Sequence, residues 1–350
     1  MAKNAFMRNF EQAESYFKQG NYEEASKKYM SLTGLPEAAP LAYYRIAAIS
    51  NITNDPATAK NLYYKAFKLK ADIARYVLSK EHPNHDYVFG GKINEELFVD
   101  CMFCGKKGMP RWCYPIIEMG STHVRKFNPV RLWLYCADCC HMWAEEFPPQ
   151  SYLIGLASGV KNPVGMPTRP QFFSVYSDIL NKLAQFVPPE GNELLEVGIG
   201  GSECALAAVE MGFNVYGIDI SKGSVTQAGR YGLSADVADF MDFESGKKWD
   251  IIILGDVIEH VPDPLLAMQK LGDILAEKGA IWISTPNFES AFSMYAGHND
   301  PMRREASHRH YFSRQSLFKL LDMYNFIPVD YKISAHYNGS MEVIAVKRPA

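Results

Sequence analysis

Neither sign of charge dominates this 350-residue chain: 36 Lys and Arg stand against 39 Asp and Glu, a net of −3 at pH 7. Phosphate-dominated affinity normally needs a clear cationic excess. A dedicated nucleic-acid binder is therefore disfavoured, although a local basic patch is not. The chain also lacks any uninterrupted apolar span near the roughly 18 residues that a membrane helix requires. Its opening, MAKNAFMRNFEQAESYF, carries charges within the first dozen positions and has no apolar run of signal-peptide length. A cytoplasmic, non-membrane protein is the expectation. Cysteine is scarce outside one stretch, since six of the seven fall between Cys101 and Cys140. In a reducing compartment such spacing is read for metal ligation before disulfides.

A hydrophobic fraction of 47%, with 20 Phe and 20 Tyr, is that of a folded globular protein rather than a disordered one. The length allows two or three folded units. The first unit carries an internal repeat: Gly20-Asn21-Tyr22 with Ala25 and Tyr29 is followed, 34 positions later, by Asn54-Asp55-Pro56 with Ala59 and Tyr63. A period of 34 is that of tetratricopeptide helical pairs. The small residue lets two helices approach, and the ring four positions on lies on the same face and fills their groove. The second turn is degenerate, and two repeats are too few to stand alone, so this unit is expected to pack on the rest of the chain. It offers either a protein- or peptide-binding surface or a plain scaffold.

The second unit holds Cys101-Met-Phe-Cys104 and, after a 31-residue interval, Cys136-Ala-Asp-Cys139. Each Cys-x-x-Cys turn can aim two thiolates at one ion, and two such turns complete a closed, tetrahedral, structural zinc site. Cys101, Cys104, Cys136 and Cys139 are the candidate ligands of this zinc ribbon. Cys140 and His141 adjoin the last of them and either could take its place, while Cys113 is left over.

The third unit begins with Leu194-Leu-Glu-Val-Gly-Ile-Gly-Gly-Ser202, runs through a helix-compatible stretch, and reaches Asn214-Val-Tyr-Gly-Ile-Asp219. This reads as strand, glycine loop, helix, strand and terminal acid. Gly198 and Gly200 allow a ligand to approach the backbone without Cβ collision, and Asp219 can accept both hydroxyls of a ribose. A dinucleotide fingerprint would want a third glycine at the position of Glu203, and it needs no acid at Glu196. Further along stand Ala235-Asp236-Val237, then Trp249-Asp-Ile-Ile-Ile-Leu-Gly255-Asp256-Val-Ile-Glu259-His260-Val-Pro, and Lys278-Gly-Ala-Ile-Trp-Ile-Ser-Thr-Pro-Asn287. In this order the motifs resemble those of class I S-adenosylmethionine-dependent methyltransferases of the ubiquinone-pathway, sugar and natural-product type, over about residues 190 to 347. Ser202 departs from the pattern, where many members have a third glycine.

The resemblance implies a seven-stranded Rossmann-like sheet with its last strand antiparallel. It also implies that S-adenosylmethionine is held by Glu196, Gly198 and Gly200 at the methionine end and by Asp219 with Ile220 at the ribose. Asp236 and Val237 would take the adenine, with Gly255 and Asp256 completing the site. The whole is a multidomain α plus α/β chain: tetratricopeptide-like repeats at 1–80, a zinc-binding ribbon-like module at 95–147, a linker or gate helix at 148–189, and the methyltransferase domain at 190–350. Within the gate, Tyr152, the glycine-rich stretch from Gly155 to Gly165, Arg169, Phe172, Phe173 and Tyr176 are expected to close over the cofactor.

Transfer from a sulfonium needs alignment more than activation, and a hydroxyl acceptor also needs a proton taken away. His260 and His310 are the candidate bases, because ligands of open α/β sheets bind outside the carboxyl ends of the strands. The polar stretch with His298, Asn299, Asp300, Arg303, Arg304, His308 and Arg309 is expected to be a substrate-facing lid or a solvated loop. The leading function is O-methylation of a small-molecule or glycan acceptor. Sugar C-methylation, RNA or protein methylation and a non-catalytic cofactor-binding scaffold are the alternatives, and the repeats could hold a protein partner.

Overall fold

The 34-residue spacing reappears as geometry in the computed structural model of the chain, which describes residues 2–159 and 167–349. Residues 160–166, part of the expected glycine-rich gate, lie outside the described residues. Helices α1 (Ala2–Lys18) and α2 (Tyr22–Leu32) form one pair, and α3 (Ala39–Ile52) and α4 (Pro56–Leu69) the next. Gly20 turns the first connection with φ +75°, and Asn54 turns the second with φ +67°. Asn is among the few residues that tolerate this left-handed region, so the second turn closes without glycine. The next residue in each case caps the following helix: Asn21 accepts the N–H of Glu24 and Asp55 that of Thr58. Ala25, Ala59, Tyr29 and Tyr63 are all buried, with the rings filling the grooves that the alanines open.

Two helical pairs bury too little surface by themselves, and the ribbon supplies the missing face. After the short α5 (Ala74–Val77) come β1 (Glu96–Leu97), β2 (Met109–Pro115), β3 (Val130–Cys136), β4 (His141–Ala144) and β5 (Glu146–Phe147). Tyr63 and Phe67 of α4 share one apolar core with Cys113, Leu132 and Leu134 of β2 and β3. At its edge the Lys60 ammonium binds the carboxylates of Glu145 and Glu146, the latter at 2.9 Å.

Helices α6 (Gln150–Gly159) and α7 (Phe173–Leu183) lead into a sheet built from β6 (Glu193–Val197), β7 (Asn214–Asp219), β8 (Ser234–Val237), β9 (Trp249–Gly255), β10 (Leu275–Pro286), β12 (Phe326–Ile333) and β13 (Ser340–Lys347). Between them run α8 (Glu203–Met211), α9 (Lys222–Arg230), α10 (Pro264–Ile274), α11 (Ala291–Ala296) and α12 (Arg314–Met323). The strand order is β12-β13-β10-β9-β6-β7-β8. β13 runs antiparallel to both of its neighbours, as the motif order implies. The central strands read as unbroken apolar runs, Ile251 to Leu254 and Ala280 to Ile283, because helices cover both faces. β6 lies between β7 and β9, so the order reverses there and opens a crevice at the strands' carboxyl ends.

A strand from the far end of the chain joins the ribbon. β11 (His310–Tyr311) pairs antiparallel with β4, completing a four-stranded sheet in the order β11-β4-β3-β2. Most of the polar segment before it is likewise docked, while His298 and Asn299 are exposed. Asp300 is fully buried and accepts from Ser293 Oγ at 2.7 Å and Tyr311 Oη at 2.8 Å. The Arg303 guanidinium lies 3.5 Å from the Trp112 ring centroid, and its carbonyl takes the Trp133 indole N–H. The expected lid is thus largely an internal seam, and of its residues only Ser307 reaches the crevice. Among the described residues no helix is long and apolar enough to cross a membrane.

Candidate active site and metal centre

The crevice at the strand reversal is a cavity of about 530 Å³. Its floor is the loop after β6. Gly198 takes φ +76°, and a Cβ there would stand 3.0 Å from Val257 Cγ2. Gly217 is equally constrained, since its Cβ would fall 2.3 Å from Ile199 Cδ1. Ser202 occupies the left-handed region at φ +70°, which explains why glycine is the usual residue there.

Asp219, at the end of β7, accepts the Gly200 N–H at 3.0 Å on one oxygen and the Ser221 N–H at 2.7 Å on the other. These bonds fix its plane and leave lone pairs free for the paired hydroxyls of a ribose. Glu196 is 5% exposed and its Oε2 has no hydrogen-bond partner among the described residues. Burial, followed by the neighbouring Glu203, pushes its carboxyl well above the ordinary carboxylate range. An orphaned acid in a cavity suits a cationic ligand group such as an α-ammonium. Ile220, Gly255 and Asp256 also line the cavity. Asp256 takes φ +53° and accepts from Ser284 Oγ at 2.9 Å.

Asp236 and Val237 do not reach it. The Asp236 carboxylate accepts the Tyr216 hydroxyl, and Val237 is 52% exposed. β8 ends at Val237, and it is the turn beyond the strand, Ala238 with Asp239 and Phe240, that bends back over the crevice. Asp239 is held there by Met241 N–H at 2.9 Å and Gln150 Nε2 at 2.7 Å. The residues of this turn that line the cavity thus lie about three positions beyond Asp236 and Val237.

Gln150 and Leu153 of α6, with Arg169 and Tyr176, roof the cavity. The Arg169 main-chain N–H donates to Glu203 at 2.6 Å, and its guanidinium donates to Tyr337 Oη at 2.6 Å. Tyr337 and the ribbon residues His123, Lys126 and Phe127 also line the space. Sequence reasoning missed these four, because the short 3-10 helix Thr122–Lys126 with Phe127 at its end, and the loop with Tyr337, reach the cavity only through how the domains dock.

The two candidate bases separate. His260 lines the cavity, and its Nδ1 lies 2.9 Å from the Ser307 carbonyl. A carbonyl can only accept, so Nδ1 carries the proton and Nε2 is left with its lone pair. His310 lies in a different cleft, with Nδ1 3.3 Å from His141 Nε2. Burial and the adjacent Arg309 push it down to about 3. The structure therefore does not bring His310 to the crevice. His308 and Glu259 do approach His260, with one ligand-type atom of each within 4.8 Å of the others, a grouping that could also take a cation.

The ribbon's thiols converge. Cys101, Cys104, Cys136 and Cys139 offer sulfurs within 4.8 Å of one another, with Cys104 and Cys136 at 3.6 Å. A tetrahedral zinc–thiolate site has sulfur–sulfur edges of about 3.8 Å, so the set fits a closed structural ion. Gly105 (φ +68°) follows the first knuckle, and Cys140 (φ +48°) takes the equivalent left-handed place after the second. That turn sends the Cys140 thiol to the Ala137 carbonyl at 3.5 Å and Tyr135 Oη at 3.8 Å, outside the cluster. His141 is engaged with His310. From the neighbouring domain, Lys319 donates to Cys139 Sγ at 3.2 Å.

Residues 169–330 match a family model described as a methyltransferase domain. Among curated relatives, the ubiquinone biosynthesis O-methyltransferase of Actinobacillus pleuropneumoniae is 32% identical over 109 residues, which are 28% of this chain and 47% of that protein. The enzyme of the same name from Paracidovorax citrulli is 30% identical over 109 residues, 29% and 46% of the two chains. This chain thus spans about half the length of the curated relatives it matches. Among solved structures, magnesium protoporphyrin IX methyltransferase of Synechocystis aligns with a TM-score of 0.42 and 17% identity, over 50% of this chain and 83% of that one.

Proposed function

We propose that this chain, with its class I S-adenosylmethionine-dependent methyltransferase domain, moves a methyl group onto a hydroxyl of a small-molecule or glycan acceptor. When bound, S-adenosylmethionine supplies a methyl group already activated on a sulfonium. The residues' part is to bind, align and take a proton. Asp219 would hold the ribose and Glu196 the methionine ammonium. Asp239 and Phe240 would meet the adenine, with Gln150 and Tyr176 excluding water from above.

The observation that carries the reading is the His260 imidazole, which lines the same cavity as Glu196 and Asp219 and is held by Ser307 in the tautomer that leaves Nε2 its lone pair. Nε2 would take the hydroxyl proton as the acceptor oxygen gains the methyl group, which the bound cofactor would supply while its sulfur keeps the bonding pair. His123, Lys126 and Phe127 bring the ribbon to the same cavity, so a structural zinc held by the four thiols would bear on acceptor choice through the ribbon. The helical pairs are read as tetratricopeptide-like, with a protein partner as the role left to their free side.

The test uses the full chain with methyl-labelled cofactor and an extract from its source. Label is expected in the small-molecule or glycan fraction, as an alkali-stable ether. Label in RNA or protein would replace the acceptor class, and label on carbon would replace the reaction. Tight cofactor binding with no transfer would leave a scaffold.

A further inference from the structure

A second cleft, of about 420 Å³, opens where the ribbon meets the carboxyl-terminal domain, and it shares no lining residue with the cofactor cavity. Its apolar walls include Phe98, Trp143 and Phe147 from the ribbon and Leu265 from the start of α10. Arg309 also lines it. This side chain is 4% exposed, yet among the described residues its guanidinium has neither an ion pair nor a hydrogen bond, and Nη1 is an orphaned buried donor. It rests on rings alone, 5.0 Å from the Phe98 centroid and 4.6 Å from that of Phe147.

Phe147 carries a second buried cation. The Arg131 guanidinium is 4.7 Å from the same centroid and spends its hydrogen bonds on main-chain oxygens, Glu146 at 3.3 Å and Ala306 at 2.8 Å. Two guanidiniums thus share one ring with no carboxylate in contact with either. Burial lowers the pKa of Arg309 to about 10, so it stays charged at neutral pH. The exposed Glu96 carboxylate acts on Arg309 from a distance but makes no ion pair with it, and a buried charge without a contacting partner is costly; the cost is relieved by an anion that a guanidinium can bind with two parallel bonds. The two acids in the lining, Asp100 and Asp263, are both exposed, and Asp263 already accepts from the Leu265 and Leu266 N–H groups. Buried His141, with Nδ1 unbonded, adds a polar atom to the same lining.

We propose that this cleft is a second ligand site, for an organic anion: a carboxylate or phosphate on an aromatic or other flat apolar body. The charge would meet Arg309 and the body would lie against Phe98, Trp143 and Phe147. The inference stands on the cleft itself and does not depend on methyl transfer.

The experiment is calorimetric titration of the full, zinc-loaded chain, with the methyl donor's site saturated, using benzoate, phenyl phosphate and neutral benzyl alcohol as probes. At least one of the two anions is expected to bind about 10-fold or more tightly than the alcohol, and whichever is tighter identifies the acid group. Arg309→Met is expected to weaken that anion about 10-fold or more, and Arg309→Lys by less, with cofactor affinity within about twofold. Leu265→Trp keeps Arg309 but fills the cleft, and should block the same anion, which covers the case of a methionine variant that does not fold. No measurable binding of either anion up to the millimolar range overturns the proposal. So does equal affinity for the alcohol, or binding unchanged by Arg309→Met or by Leu265→Trp.

Discussion

His260 donates its Nδ1 proton to the carbonyl oxygen of Ser307 across 2.9 Å, and that bond decides which nitrogen of the ring keeps its lone pair. The partner comes from the seam that locks the carboxyl-terminal domain to the ribbon. The ring is therefore positioned by the docking of two domains and not only by its own strand loop.

Replacing His260 should accordingly separate chemistry from binding. His260→Ala is expected to lower kcat by about 10²- to 10⁴-fold, the usual contribution of a general base, with the dissociation constant of the cofactor within about twofold. His310→Ala should leave kcat near normal and lower the melting temperature instead, because it removes a buried partner of His141 at the β4–β11 seam. Stopped-assay turnover and calorimetry on both variants check this. Normal turnover in His260→Ala would remove the ring from the reaction.

Glu196 should show opposite effects on stability and on binding. Its carboxyl is raised above the unfolded value by burial, then by Glu203. A raised acid makes the folded state hold its proton more tightly, so stability falls as pH rises from the unfolded carboxylate value toward the folded one. Glu196→Gln is expected to melt about one to two degrees higher than the parent at pH 8, a gain of about 1 kcal/mol at this chain size. The gap should close below about pH 4, where the parent is protonated in both states. Cofactor affinity should fall by about 10-fold or more as the charge-assisted contact is lost. A lower melting temperature at pH 8 would contradict the unpaired buried acid.

Ser202 is the place where a family-like glycine can be restored. Its left-handed backbone costs about 1 kcal/mol for a non-glycine residue, and its Oγ is buried without a partner. Ser202→Gly is expected to gain about 1 kcal/mol in denaturant unfolding, less the extra chain entropy of glycine. Cofactor affinity should not move. A loss of affinity instead would mean that the hydroxyl serves the ligand.

The extent to which the sequence disclosed this site follows the range of the interactions involved. Glu196, Gly198, Gly200 and Asp219 were legible because a strand, a tight turn and a helix start set their places within a few residues. The helical pairs were legible for the same reason, with Gly20 and Asn54 marking two equivalent turns. That Asp239 and not Asp236 lines the cavity was not legible, because a strand's end must be known to within one residue, and the turn after Val237 carries no motif. His123, Lys126 and Tyr337 carried no signal at all, since each reaches the cavity from another layer of the molecule. His310 seemed equivalent to His260 in the chain, and only the pairing of β11 with β4 sends it elsewhere.

The spare residues beside the second knuckle provide the last test, because Cys140 and Cys139 are adjacent in sequence and opposite in role. Cys139 Sγ belongs to the four-sulfur cluster, whereas Cys140 takes the left-handed turn position and points its thiol at Ala137 and Tyr135. The purified chain is expected to hold one zinc. Cys140→Ala should keep it, and Cys140→Gly should keep it with a small gain in stability, since glycine suits φ +48° better. Cys139→Ala should lose it, because three thiolates leave a tetrahedral ion one ligand short. Loss of the metal should reach the neighbouring domain through two contacts, Lys319 to Cys139 at 3.2 Å and Ser313 Oγ to the Cys140 carbonyl at 2.7 Å. Both residues belong to the start and body of α12, so chelation should loosen that helix and the β11 seam before it loosens the glycine loop. Amide exchange with and without chelator, alongside metal analysis, reads this order. Faster exchange at Gly198 to Gly200 than in α12 would place the ribbon's influence somewhere other than this seam.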